Sequence, residues 1–302
     1  MKKHYVNKGG EAKKGSKTSW GKVADWYDEY LQDDDSYQKQ VILPNLMRVL
    51  DPKPREMILD IACGQGYFTE AIAERGADVV GFDISPELIK KAEAKLKYDN
   101  VENARVFVGK ADDMSSIPNS SIDNAICVLA AQNIQELDAM FSEAARVLKR
   151  SKAQDRVRMA IHQKGNYKDM PSFKGGRLIL VLNHPSFRIP RGSDWHYEDK
   201  AENPHQGKQG RVVYQYLSEG KITIDMNPGM PKERSRDKVY TVSYHRPLQV
   251  FTKWLAKHGF AITRIEEWAS HKTSEKGPRA SAEDTARKEI PLFMCIEASL
   301  LG

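Results

Sequence analysis

The sequence predicts an α/β domain, a mostly parallel sheet with helices on both faces and an antiparallel last strand. Three observations carry this. Short apolar runs alternate with helical patterns between residues 57 and 149, and a glycine-containing turn follows the first run. The last two runs, Phe260 to Ile265 and Pro291 to Ala298, have no apolar helix between them and should therefore pair antiparallel.

Taken in order, residues 1–18 read as a basic, disordered tail. Ser19 then caps a helix carrying Trp20, Val23, Trp26, Tyr27 and Tyr30 at helical spacing, and a second helix covers Tyr37 to Leu50. Asp51-Pro52-Lys53-Pro54 breaks the chain, so residues 19–50 form a pair of N-terminal helices. Met57 to Ile61 is the first strand, Phe68 to Arg75 a helix and Ala77 to Phe82 the second strand. Ser85-Pro86-Glu87 opens the next helix, with serine at the cap and proline at the first position. Strands follow at Ala104 to Val108, Ile122 to Leu129 and Arg177 to Leu182, and helices at Gln135 to Lys149 and Pro247 to His258.

The chain has 302 residues, 40% hydrophobic and 29% charged, which is enough to bury a sizeable core and excludes general disorder. No window is long and apolar enough to span a membrane, and the basic start lacks the apolar stretch of a leader, so a cytoplasmic protein is expected. Cys63, Cys127 and Cys295 are odd in number and without metal-ligand spacing, which suits a reducing compartment. The net charge of +6 is concentrated: residues 1–23 carry +6 and residues 150–174 carry +5, leaving the rest at −5. That pattern argues against a broad phosphate-binding surface and leaves a basic arm as the route to a nucleic acid.

Asp60-Ile61-Ala62-Cys63-Gly64-Gln65-Gly66 joins a strand to a helix, where glycines let the backbone approach a ligand and the helix start offers amide donors. Asp83 ends the next strand, where a carboxylate can accept from both hydroxyls of a ribose. A dinucleotide fingerprint would need a third glycine at position 69, which is Thr69.

With these residues in place, the sequence resembles the class I S-adenosylmethionine-dependent methyltransferases, in particular the group sharing the small-molecule methyltransferase (type 11) core. ILDIACGQGYF (58–68), VVGFDIS (79–85), GKADDM (109–114), SIDNAICVLAAQNI (121–134) and EAARVLK (143–149) carry the likeness, and GGRLILVLNHP (175–185) continues it. The resemblance covers residues 20–149 and 175–299. It implies a Rossmann-like seven-stranded sheet and S-adenosyl-L-methionine as cofactor. By position, Asp60, Ala62, Gly64 and Gly66 would line the methionine end, Asp83 would hold the ribose, and Ile84 would pack on the adenine. Ala111 and Asp112 would meet the adenine edge, with Leu129 and Ala130 beneath the donor sulfur. Two positions depart from the family: Ala62 replaces the first glycine of the turn, and Lys110 stands where an acid is usual.

Relative to the family the chain carries two additions. Residues 150–173 form a basic surface insertion at the N-terminal end of the fifth strand, opposite the ligand-binding ends. The methyltransferase domain is thus expected at 51–149 and 174–299. Residues 183–244 leave the carboxyl end of the fifth strand and should form a cap over the cofactor, with residues 269–290 emerging on the same side. Trp20 and Tyr27 from the first helix and Arg191, Trp195 and Tyr216 from the cap are the candidate substrate contacts.

Methyl transfer to a hydroxyl or amine requires positioning and removal of a proton. His184, His245 and His196 are the candidate bases, and His184, His196 and His205 lack the spacing of a zinc site. Arg191 and Arg246 are candidates for an acceptor's carboxylate or phosphate. The expectation is an S-adenosylmethionine-dependent enzyme methylating an O or N atom of a small molecule. Its rivals are an RNA or protein methyltransferase using the basic tail and insertion, and a binding module without turnover. Ala130-Ala131-Gln132-Asn133 after the fourth strand lacks the Asn/Asp-Pro-Pro-aromatic run expected of nucleobase or glutamine N-methylation.

Overall fold

The computed structural model describes residues 33–150, 175–199, 207–226 and 240–301. The predicted first helix, the basic tail and nearly all of the basic insertion lie outside the described residues. A seven-stranded sheet forms the centre, made of β1 (Met57–Ile61), β2 (Asp78–Asp83), β3 (Ala104–Val108), β4 (Asn124–Val128), β5 (Arg177–Asn183), β10 (Phe260–Trp268) and β11 (Phe293–Leu300). Their order across the sheet is β10-β11-β5-β4-β1-β2-β3. Strands β1 to β5 pair parallel. β11 runs antiparallel to both β5 and β10, as the missing apolar helix implied.

Parallel strands buried on both faces read as continuous apolar runs. β4 and β11 are buried along their whole length, and two hydrophobic clusters cover the two faces of the sheet. The helices supplying the cover are α1 (Leu43–Leu50, entered through a π-helical turn at Gln38–Ile42), α2 (Tyr67–Ala73), α3 (Pro86–Tyr98), α4 (Leu137–Val147) and α5 (Leu248–Lys257). The Ser85 hydroxyl accepts from the Leu88 amide at 3.3 Å with Pro86 at the first position, so α3 begins where the sequence indicated. Asp51 ends α1 in a left-handed conformation. Among the described residues, no helix is long and apolar enough to cross a membrane.

The cap contains two antiparallel ribbons, β6–β7 (Ser193–Glu198 with Lys208–Val213) and β8–β9 (Gly220–Asp225 with Tyr240–His245). A polar helix, α6 (Ala280–Glu289), lies in the β10–β11 connection and packs against β7. Chain order reverses between β1 and β4, which opens a crevice at the carboxyl ends of the strands.

Candidate functional site

The turn from β1 into α2 is built on left-handed backbone. Ala62, Gly64 and Gly66 have φ of 59°, 57° and 81°. Gly64 thereby presents its amide to Asp83 Oδ2 at 3.0 Å, while Asp83 Oδ1 accepts from the Ser85 amide at 2.9 Å. Both oxygens are fixed, and burial raises the Asp83 carboxyl above its ordinary range against the pull of these amides. Beneath it Asp60 is 1% exposed and accepts from the Thr69 hydroxyl at 2.7 Å. Burial pushes Asp60 up to about 7, with the Asp83 charge adding to the rise. The left-handed Ala62 carries strain that a glycine would avoid. Cys63 is buried in the same turn and its thiol is pushed up by burial, so it is a packing group rather than a nucleophile.

A cavity of about 830 Å³ opens above this turn. Asp60, Ala62, Gly64, Asp83, Ile84, Ala111, Asp112, Leu129 and Ala130 are all in its wall. Ile84 is 43% exposed, an apolar surface facing the opening. Gly66 is absent from the wall. It precedes α2, and a Cβ there would come within 3.1 Å of Ala92 Cβ, so its role is the close approach of α2 to α3. The loop bearing Ala111 and Asp112 is held from behind by α4. Glu143 accepts from the Met114 amide at 2.8 Å, and Arg146 donates to the carbonyls of Met114 and Ile117 at 2.7 and 2.9 Å.

The floor after β4 is also strained. Leu129 has φ of 52° and donates its amide to Val181 O at 2.7 Å, while Gln132 Nε2 donates to Leu129 O at 2.7 Å. Gln132 Oε1 and Gln38 Oε1, both on residues of the cavity wall, are buried acceptors without a hydrogen-bond partner among the described residues. Such acceptors fit a ligand that brings N–H or O–H donors. Arg246 underpins the floor by donating to the carbonyls of Ala131, Ile134 and Gln135 at 3.4, 2.9 and 2.9 Å, flanked by the Tyr244 and Trp254 rings. It is 6% exposed and committed to backbone, not to an acceptor anion.

The candidate bases stand elsewhere. His184 Nδ1 accepts from the amides of Ser186 and Phe187 at 3.2 and 3.3 Å, so the proton sits on Nε2, which donates to Glu267 Oε1 at 2.7 Å. Burial lowers its pKa, and it caps the turn leaving β5 instead of facing the cavity. His245 Nε2 is taken by Tyr216 O at 2.7 Å, and His196 is exposed on β6; neither is in the wall. Tyr216 is likewise structural, accepting from the Leu248 amide at 3.1 Å, and Trp195 stacks under Arg211 at 5.0 Å. Of the predicted substrate contacts, Arg191 lines the cavity, while Trp20 and Tyr27 fall outside the described residues. Gln38, Gln132 and Arg211 line it without having been anticipated. Among the described residues, no group of three or more His, Cys, Asp or Glu is arranged to hold a metal ion.

A family model described as a methyltransferase domain matches residues 58–151. The chain is similar to a 23S rRNA (uracil(1939)-C(5))-methyltransferase of Thiobacillus denitrificans, 38% identical over 76 residues covering 25% of this chain and 18% of that protein. It is also similar to a ubiquinone biosynthesis O-methyltransferase of Xanthomonas oryzae pv. oryzae, 29% identical over 92 residues covering 30% and 38%. A demethylmenaquinone methyltransferase of Tropheryma whipplei is 32% identical over 94 residues covering 31% and 38%. The chain thus spans less than two-fifths of the length of these relatives. In structure it is similar to an S-adenosylmethionine dependent methyltransferase from Mesorhizobium loti, with a TM-score of 0.59 at 21% identity, covering 88% of this chain and 99% of that one. At that identity the likeness bears on the fold.

Proposed function

We propose that this chain, which carries a class I S-adenosylmethionine-dependent methyltransferase domain, transfers a methyl group to an oxygen or nitrogen of a small molecule. The observation that carries this reading is one continuous cavity, walled at one end by the glycine turn and Asp83 and at the other by the cap ribbons. Its size is at the upper end of the ~300–1,000 Å³ of ligand pockets, which suits a cofactor and a small acceptor together. A wall closed off at the cofactor's end would instead have favoured a binding module.

S-adenosylmethionine, when bound, supplies an activated methyl on a sulfonium. The chain's own residues bind and orient. Asp83, its oxygens set by Gly64 and Ser85, is assigned to the ribose hydroxyls, and Ile84, Ala111 and Asp112 to the adenine. Asp60 is assigned to the cationic methionine amine, whose charge would draw the buried carboxyl into its ionised form. Leu129 and Ala130 form the floor, and Gln132 offers its unpartnered Oε1 to a donor on the bound ligands. With the three histidines outside the wall, Glu136, four residues beyond Gln132, is the carboxylate assigned to take the acceptor's proton. The same reading divides the chain into N-terminal helices at 19–50, the transferase domain at 51–149 and 174–299, and a substrate cap at 183–244.

Calorimetric titration with S-adenosylhomocysteine tests the reading. Micromolar binding by the wild-type protein, lost in Asp83→Ala, supports it and opens a search for acceptors. A folded wild-type protein that does not bind overturns it.

A further inference from the structure

We infer that the methyl acceptor is a largely apolar molecule bearing an oxyanion, a carboxylate or phosphate, seated on Arg191 and Arg211 in the cap wall. This rests on the methyltransferase reading above and names the acceptor class it leaves open.

Arg211, on β7, is held rigidly by neutral groups. Its Nε donates to Phe187 O at 2.7 Å, its Nη2 donates to Ser193 Oγ at 3.0 Å, and its plane lies over the Trp195 ring. A guanidinium has five donors, and these bonds use two. Burial lowers its pKa despite the opposing charge of Asp194, with which it forms no ion pair. By contrast Arg48, Arg146 and Arg264 are each paired with a carboxylate. Arg191 makes one long contact, Nη2 to Thr223 O at 3.4 Å. Neither Arg191 nor Arg211 has a carboxylate partner among the described residues.

Backbone strain gives an independent indication. Arg191 has φ of 60°, a left-handed conformation that glycine would adopt without cost. A long charged side chain kept at such a position, in a cavity wall, points to a task for the side chain. Ile224, Met226 and Val242 give the cap side of the wall an apolar surface, beside which Arg191 reaches Thr223 O. Asp60 and Asp83 belong to the glycine-turn end of the wall, whereas Arg191 and Arg211 belong to its cap side, away from the residues assigned to the methionine amine and ribose. A bidentate arginine fork matches an oxyanion in both charge and geometry.

The test uses full-length protein saturated with S-adenosylhomocysteine, titrated with benzoate, phenyl phosphate and the neutral benzyl alcohol. One or both anions should bind about tenfold more tightly than the alcohol, the increment of a charge-assisted hydrogen bond, and their ranking identifies the oxyanion. Arg211→Gln and Arg191→Gly should each remove most of that preference while leaving S-adenosylhomocysteine affinity unchanged. Arg191→Gly also relieves the left-handed strain, so its melting temperature should not fall, which guards against misfolding as the cause. Absence of saturable anion binding at millimolar probe overturns the inference, as does a preference that survives in the double variant. Loss of S-adenosylhomocysteine affinity in the variants also overturns it, because the arginines would then belong to the cofactor's carboxylate. Failure of the wild-type protein to bind S-adenosylhomocysteine overturns the underlying methyltransferase reading instead.

Discussion

Thr69 donates its hydroxyl to the Asp60 carboxylate at 2.7 Å in a site from which water is almost wholly excluded. One hydrogen bond does not offset the lost hydration, so Asp60 rises to about 7. A carboxyl raised above its unfolded value contributes stability that is full in acid and is lost as pH rises through about 7. The ligand-free protein should therefore lose stability from this group between about pH 4 and pH 7, and Asp60→Asn should flatten that slope in thermal melts. A bound amine draws Asp60 to its charged form. Binding of S-adenosylhomocysteine near pH 7 should then release protons and tighten as pH rises. Calorimetry in buffers of different ionisation enthalpy reads this directly, and heats independent of buffer would contradict it.

Gly64 and Gly66 share left-handed backbone but not their surroundings. A Cβ on Gly64 meets no atom within 4 Å, whereas one on Gly66 meets Ala92 Cβ at 3.1 Å. Gly64→Ala should cost about 1 kcal/mol of stability from conformation alone and weaken S-adenosylhomocysteine at least tenfold by placing a methyl in the ligand's space. Gly66→Ala should cost about 1–3 kcal/mol through strain and overpacking between α2 and α3, with the smaller effect on affinity. Chemical denaturation and ligand titration of both variants check the contrast, and equal losses of affinity would refute it.

The sheet was legible because its strands are buried on both faces and its turns carry glycine, serine and proline at positions of defined geometry. The place of Asp83 in the cavity wall was legible for the same reason: it closes a strand just before such a turn. His184 shows the limit. Its place at the end of β5 was correct, yet Asn183 is in the cavity wall while His184 turns back to Glu267 and two backbone amides. A one-residue difference in facing is what composition cannot supply. The cap ribbons left a period-two trace in Gly220–Asp225 and Tyr240–His245, but connections as long as 199–207 and 226–239 do not fix which strand pairs with which, even with Asn203-Pro204 and Asn227-Pro228-Gly229 in them. Arg246 left none, since its partners are carbonyls that every residue possesses. Arg191 and Arg211 come to one cavity wall because the β6–β7 ribbon folds β7 back beside the segment that follows Arg191.

The carbonyl of Lys149 accepts from the amide of Gly176 at 2.6 Å, closing the two ends of the 151–174 segment against each other at the start of β5. Removing 151–174 would leave Lys149-Arg150-Gly175-Gly176, a four-residue turn whose first-to-fourth hydrogen bond already exists and whose last two positions tolerate glycine. These ends lie at the amino edge of the sheet, while the cavity opens at the carboxyl ends of the strands. The shortened protein should therefore fold with a stability change within about 1 kcal/mol and bind S-adenosylhomocysteine within about twofold of the full chain, a difference of less than 0.5 kcal/mol. Turnover of a small acceptor should survive as well. Intact cofactor binding with turnover abolished would move the acceptor from a small molecule to a macromolecule gripped by the basic segment. Loss of both would mean that 151–174 supports the fold rather than the reaction.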